Sequence, residues 1–536
     1  MRFFSWLEKA ISFDSEYKDF ELLEQEAGTP PKSAKIKNST SKADLNYDNA
    51  VISNNLEANI RQLEDIFCSA KNKDIIIRRF VLCKKKAAAA LFINGMADND
   101  IINDFILKPT MQMQQVKLPL FGSCIKTVIE QILPVDELSI ENQISKLVQA
   151  ILSGQTVILI DSERDAIVAE TRGYESRTVT ESKNEKTVLG PKEAFVENLR
   201  TNITLIRKII KTNDLILQSI DECKSENNAR MVIVYRETVV NNDLLNEVIK
   251  KLSKIDTNRL FDLGTVEQLI EKPRLVPIPR FMITEKPDKV ASHIINGGIA
   301  VLLEGSPEAL IVPVTLFSLM ASSEDTYLKA SLGTLIRIIR YIGVVLSILL
   351  PGSFLAMAFY HQGVLSTEVL ITVISSRTLV HSSIAVELLF LLIVFQLIRE
   401  AGMRVPESIG QAIGIIGGLI LGQAAVAANI VSTTSLIIVA LSGLGNFCVP
   451  NHQLMLSVTY MRVLVLCSAW IAGFLGISIA ILLGAAYISS LKSFGVPFLS
   501  PFAPTTMRDR PIIFRGQIRN NSRTQDYTNA KGDRNV

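Results

Sequence analysis

SIGQAIGIIGGLILGQAAVAANIVSTTSLIIVALSGLGNFCVPNHQLMLSVTYM, residues 408–461, is a run of 54 residues without a formal charge. At about 20 residues per crossing, it suffices for two passages through a bilayer. Outward from it, charge stays scarce. Between Tyr341 and Leu491 the only charged side chains are Glu368, Arg377, Glu387, Arg399, Glu400, Arg404, Glu407 and Arg462. A water-exposed body of that size cannot cover its surface with so few. Residues 1–333 carry 42 Lys+Arg against 46 Asp+Glu, whereas residues 334–536 carry 14 against 7. The whole-chain figures of 536 residues, 20% charged and net +3 thus average two unlike parts. That pattern excludes a single soluble enzyme and predicts a soluble half joined to a membrane half.

The membrane half divides further. Tyr341–Tyr360 is uncharged and follows Lys329, Arg337 and Arg340; Val380–Ile398 is apolar apart from Glu387; Val463–Leu491 is again uncharged. The tail from Lys492 holds eight basic and three acidic residues. Basic flanks favour the cytoplasmic side, so the start of the first span and the tail both belong there. An even number of crossings follows, yet five candidates are present. Ser432–Tyr460, interrupted by Gly443, Gly445, Asn446, Pro450 and Asn451, is the expected exception. It reads either as a re-entrant element lining a cavity or as a kinked ordinary helix with one loop misassigned.

Ahead of the spans, the chain reads as α/β. IIIRRF (Ile75–Phe80), AAAALFI (Ala87–Ile93), VILID (Val157–Asp161) and AIVAE (Ala166–Glu170) have the character of buried strands, with helices over Val116–Leu152. Glu193–Lys211 has helical spacing, and a second alternation begins near Arg230. The expected fold class is an α/β soluble N-terminal region of two subdomains followed by an α-helical polytopic membrane domain. The boundaries are 1–55 for an amphipathic N-terminus and disordered linker, 56–215 and 228–325 for the subdomains, 334–491 for four to six helical segments, and 492–536 for a basic cytoplasmic tail.

Small residues recur every four positions at Gly410, Gly414, Gly418 and Gly422, and again at Ser468, Ala472, Gly476, Ala480 and Gly484. On a helix each set forms one face along which backbones approach closely, within one bundle or between subunits. Glu387, expected roughly 10 Å into a helix starting at Val380, is the leading functional candidate. A carboxylate at that depth normally faces water or the bundle interior. It fits a cation-attracting ring or an ion pair with Arg377 or Arg399. Gln411, Gln423, Asn429 and Asn446 fit pore lining or hydrogen bonding between helices. The six cysteines show no paired spacing and the four histidines no ligand spacing, so neither a metal, a cofactor nor a catalytic constellation is expected. Beside a membrane span, the basic tail fits anionic lipid or a topological signal better than nucleic acid.

At LIREAGMRVPESIGQAIGIIGGLILGQAAV (Leu397–Val426) the sequence resembles the A subunit of the GerA-type spore germinant receptors. The likeness continues through LKSFGVPFLSPFAP (Leu491–Pro504), SEDTYLKASLGTLIRIIRYIG, EGSPEALIVP and GPKEAFVENLRTNITLIRK. It is dense from about Leu152 to Pro504 and weak over the first 150 residues. The resemblance implies a subunit of the spore inner membrane, its two α/β subdomains facing the core. It also implies a transporter-like B subunit holding the nutrient site, a lipoprotein C subunit, and oligomers of A forming a ligand-gated cation channel.

Glu387, Arg399-Glu400-Ala401-Gly402, Gly410-Gln411-Ala412 and Gly422-Gln423-Ala424-Ala425 match the family pattern, with Arg377, Arg399 and Glu400 as candidate gating or ion-pair residues. Relatives often carry acids where this chain has Gly363, Thr378, Leu392 and Ala427, and prolines where it has Ser366, His381, Ser383 and Thr433. An accessory, non-conducting scaffold or amplifier, like the spoVA-operon paralogue that shares these motifs, is the alternative.

Overall fold

The computed structural model describes residues 50–112, 124–173, 182, 185, 187–220, 224–225, 229–257, 260–271, 276–406, 409–410, 414 and 416–503. Most of the expected N-terminal linker and most of the basic tail lie outside these residues, as does Gln411.

Helix α1 (Leu56–Ile66) begins at Asn55, whose side chain accepts from the Glu57 and Ala58 amides. The first sheet follows: β1 (Ile75–Leu82), β2 (Lys86–Ile93), β3 (Leu138–Glu141), β4 (Thr156–Ile160) and β5 (Ala166–Ala169), with α2 (Ile144–Leu152) between β3 and β4. The order is β1-β2-β4-β5-β3, every pair antiparallel. Cys83 and Lys84 adopt positive φ in the β1–β2 turn, matching the twist of a tight hairpin without the usual Asn-Gly. One face packs on α1 and α2 through Ile60, Leu63, Leu147 and Ile151. The four strands read from the sequence in this first subdomain coincide with β1, β2, β4 and β5. Strand β3 was hidden inside the expected helical stretch because its pattern is half exposed.

The second sheet uses β6 (Leu215–Ser219), β7 (Met231–Arg236), β8 (Met282–Thr284), β9 (Ile299–Leu303) and β10 (Ala309–Val312), in the order β8-β10-β9-β7-β6, again antiparallel. Helices α3 (Leu199–Ile209), α4 (Asn242–Leu252), α5 (Leu263–Ile270) and α6 (Pro287–Ile295) cover it. Both faces are buried: Ile299, Val301 and Leu303 point to α4 and α5, while Ala300 and Leu302 join α3 and α6. Helix α3 and strand β6 therefore belong to the second sheet. The division falls ahead of residue 199, not at the expected 213–228, because the apolar face Leu199, Leu205 and Ile206 packs there.

The helical region contains α7 (Ala330–Phe359), α8 (Thr367–Ser375), α9 (Ile384–Arg404), a π-turn at Ile416–Leu421 running into α10 (Gly422–Ala427), α11 (Thr433–Phe447) and α12 (His452–Ser490). Among the described residues, α7 and α12 are the two helices long and apolar enough to cross a membrane. Helix α12 is not one straight rod. Ala472 and Gly473 leave helical geometry, Gly473 at φ +60° and ψ −138°. Ser457 and Tyr487 would stand about 45 Å apart along a straight helix at ~1.5 Å per residue. Yet their hydroxyls donate to the adjacent Pro277 and Val276 carbonyls. Residues 452–471 and 474–490 are thus two antiparallel helices, and a Cβ on Gly476 would strike the Ser468 carbonyl across the turn. The Tyr360 hydroxyl donates to the Trp470 and Ile471 carbonyls at 2.7 and 3.1 Å, latching the end of α7 onto this hairpin.

Two expectations change here. The backbone expected to be broken within Ser432–Tyr460 is helical through Gly443, Gly445 and Asn446 in α11, and Pro450 and Asn451 sit in the turn before α12. The glycines allow close packing, a Cβ on Gly445 striking the Gly343 carbonyl of α7 and one on Gly443 striking the Phe395 ring of α9. The small-residue ladders are not continuous helix faces either. The π-turn rotates the first, leaving Gly414 and Gly418 with nothing within 4 Å of a Cβ, while Gly410 meets the Gly402 carbonyl and Gly422 meets Leu436. The chain reversal divides the second: Ala472 lies in the turn, Ala480 packs beside the bundle core, and Gly484 meets open space.

Candidate functional site

Helix α9 starts at Ile384, not Val380, because the Ser383 hydroxyl caps it by accepting from the Val386 amide. Glu387 consequently lies in the first turn, where the partial positive charge of the helix end favours a carboxylate. It is also 1% exposed. One carboxylate oxygen accepts from the Ser432 amide at the start of α11; the other faces the Arg377 guanidinium at 3.6 Å. Arg377 donates in turn to the Ser382 carbonyl at 2.6 Å. Three segments distant in sequence thus converge on one carboxylate. Of the two cations expected for Glu387, Arg377 is the partner. Glu400 pairs with Arg404 at 2.7 Å on the exposed side of its own helix.

Arg399 stands apart. It is 9% exposed, and none of its three guanidinium nitrogens has a hydrogen-bond partner. Asn446, 1% exposed, donates to the Thr459 hydroxyl at 2.9 Å, its carbonyl oxygen being left over. Gln423 and Asn429 are exposed on the single chain, Asn429 at φ +55°.

Sequence reading missed the junction between the α/β part and the helices. Gln453 of α12 donates to Glu267 of α5 at 2.6 Å. Ser493 donates to the Arg280 carbonyl at 2.7 Å and accepts from the Val314 amide at 3.1 Å. On α7, Arg340 donates to both oxygens of buried Asp325 at 2.9 and 3.1 Å and to the Met320 carbonyl. Beneath these bonds lies one apolar cluster. Sheet residues Ala300 and Ile311 share it with Val449, Leu454, Val458 and Leu491 of the bundle. No local signal announces such a surface, since its polar members look like ordinary helix ends.

Burial pushes the Glu267 carboxyl up to about 7; the Gln453 bond opposes the rise and neighbouring Glu271 adds to it. The folded chain therefore holds a proton that the unfolded chain releases near pH ~4.3. Stability from this group is full below that pH and is lost as pH rises toward 7. We expect thermal stability to fall between pH 5 and 7 with a slope of up to about 1.4 kcal/mol per unit from this one group. Glu267→Gln should flatten it. An unchanged slope in pH-dependent melting would separate Glu267 from the effect.

An antiparallel α/β domain seated on a helical bundle through one shared core defines the class as an α/β domain joined to a predominantly apolar helical unit. The Bacillus/Clostridium GerA spore germination protein model matches residues 61–527, and the chain belongs to this family. It is 31% identical to Spore germination protein KA of Bacillus subtilis (strain 168) over 468 residues, 87% of this chain and 85% of that protein. It is 30% identical to the membrane protein YfkQ of the same organism, over 84% of this chain and 92% of that one. The crystal structure of the N-terminal domain of the A subunit of the Bacillus megaterium spore germinant receptor GerK3 matches with 26% identity and a TM-score of 0.39. That match covers 49% of this chain and 96% of the domain. Membership of this family supports a role in spore germination.

Proposed function

We propose that the chain is the A subunit of a nutrient germinant receptor in the spore inner membrane, and that it transduces nutrient recognition into cation release. The observation that carries this reading is the core shared by the second sheet and the bundle. A displacement of that sheet cannot leave α12 in place, because close-packed interiors shift between discrete arrangements instead of deforming smoothly. Oligomers of the chain then form the ligand-gated channel, working with a B-type transporter-like subunit and a C-type lipoprotein subunit.

The course of the helices supports a multi-pass arrangement. Helix α7 leaves the α/β domain and α9 returns, Gly410 packing near its C-terminal end. Gly422 reaches Leu436 near the start of α11, which runs back toward the domain, and α12 goes out and returns. Six crossings result, with both ends on the core side. Exposed Leu335, Ile339, Ile342, Ile471, Leu475 and Leu482 suit a lipid-facing surface.

In spores lacking the chain, cation release to its nutrient is expected to disappear, as followed by early potassium efflux. Slowed efflux with recognition intact would instead assign the chain to the accessory scaffold or amplifier class.

A further inference from the structure

Inside the bundle, two buried arginines form no ion pair among the described residues. Arg462 is 1% exposed and lies ten residues into α12, about 15 Å from its start at ~1.5 Å per residue. One of its nitrogens donates to the Ser442 hydroxyl at 3.1 Å, and that hydroxyl is committed to the Ser347 carbonyl at 2.9 Å; the Arg462 Nε has no partner. Arg399 lies one turn beyond Phe395 on α9, and the Phe395 ring fills the space over Gly443, the neighbour of Ser442. The three guanidinium nitrogens of Arg399 are all buried and unpartnered. Beside them, the Asn446 and Gln396 side chains each leave a buried oxygen unpaired. Among the described acids of the bundle, Glu387 is engaged by Arg377 and Ser432, and Glu400 by Arg404. Glu368 sits in the exposed first turn of α8.

Buried like charges are unfavourable unless an anion compensates them. A guanidinium presents a planar fork of donors whose geometry matches an oxyanion. We propose that Arg399 and Arg462 form an intrabundle oxyanion site that takes a phosphate group, brought by a soluble anion or by a lipid headgroup. The site is separate from the Glu387 cluster and does not depend on the chain being a channel. Its positive charge excludes cations locally, so any cation path through an oligomer must pass elsewhere until the anion is bound.

The test uses the full chain in maltoside detergent, delipidated, at constant ionic strength set with chloride. Inorganic phosphate or short-chain phosphatidylglycerol is then added. The wild type should melt about 3 °C or more higher with at least one of them, a rise expected when ligand exceeds its dissociation constant many-fold. A response to phosphate alone assigns a soluble anion, and a response to the lipid alone assigns a headgroup. Arg399→Gln and Arg462→Gln should each abolish the rise. Without either addition, both variants should melt no lower than the wild type, because each removes an uncompensated buried charge. No rise with either probe, or a rise that persists in both variants, would overturn the proposal. Variants melting lower in the chloride buffer without phosphate or lipid would overturn it too, since a carboxylate of the protein itself would then already complete the pair.

Discussion

Spores whose only copy of the chain carries Glu387→Ala are expected to release cations in response to nutrient at least about tenfold more slowly than wild type. The reason is local. Glu387 joins the first turn of α9, the amide at the start of α11 and the Arg377 guanidinium. Truncation leaves Arg377, largely buried, without its carboxylate and leaves the Ser432 amide without its acceptor. Breaking a buried pair on one side costs about 3–5 kcal/mol, and roughly the lower figure applies because Arg377 keeps some solvent contact. A loss of 1.4 kcal/mol in the active arrangement already corresponds to about tenfold. Glu387→Gln keeps an acceptor for Ser432 and should fall between the two. Efflux at the wild-type rate, with normal protein level by immunoblot, would remove Glu387 from transduction.

The second large effect lies in the α/β part. Arg207 of α3, 1% exposed, donates to both oxygens of Asp74 at 2.8 and 3.1 Å. It also reaches the Leu215 carbonyl at 2.8 Å, the Thr212 carbonyl at 3.2 Å and Asn72 at 3.4 Å. Asp74 and Asn72 precede β1, so this single side chain binds the first subdomain to the second. Arg207→Ala would leave a carboxylate 8% exposed with its charge uncompensated. We expect a loss of about 3–5 kcal/mol, read as a melting point lower by roughly 10 °C. Arg207→Lys should recover little, since an ammonium cannot serve both Asp74 oxygens and the Leu215 carbonyl. A melting point within 2 °C of wild type, at about 1 kcal/mol or less, would show that the remaining contacts, among them Lys71–Glu237 and the Asn72 bonds to Leu215 and Leu217, suffice to hold the subdomains together.

Legibility differed by element. Strands β4 and β5 were readable because short β-rich apolar runs bounded by turns leave few alternatives. Strand β6 was not, since LILQS follows a polar loop and only the second sheet gives it a place. In the bundle, a glycine repeat every four residues specifies spacing but not helix phase, so the π-turn at Ile416–Leu421 could not be inferred from it. The five apolar stretches were counted by length, which cannot distinguish one long helix from two joined at a glycine. Ala472 and Gly473 supply the missing reversal, Gly473 at a positive φ.

Composition and hydropathy by themselves determined that an acidic α/β half precedes a charge-starved helical half, because burial in either medium selects residues one at a time. They also singled out Glu387, since a carboxylate in an apolar stretch is costly wherever it lands. Only the tertiary structure decided which cation meets it, that Arg462 and Arg399 are buried without an ion pair among the described residues, and that the second sheet and α12 share a core. Those are relations between residues tens to hundreds of positions apart. Pairing of charges and interlocking of side chains depend on distances of a few ångströms, which one-dimensional spacing does not encode.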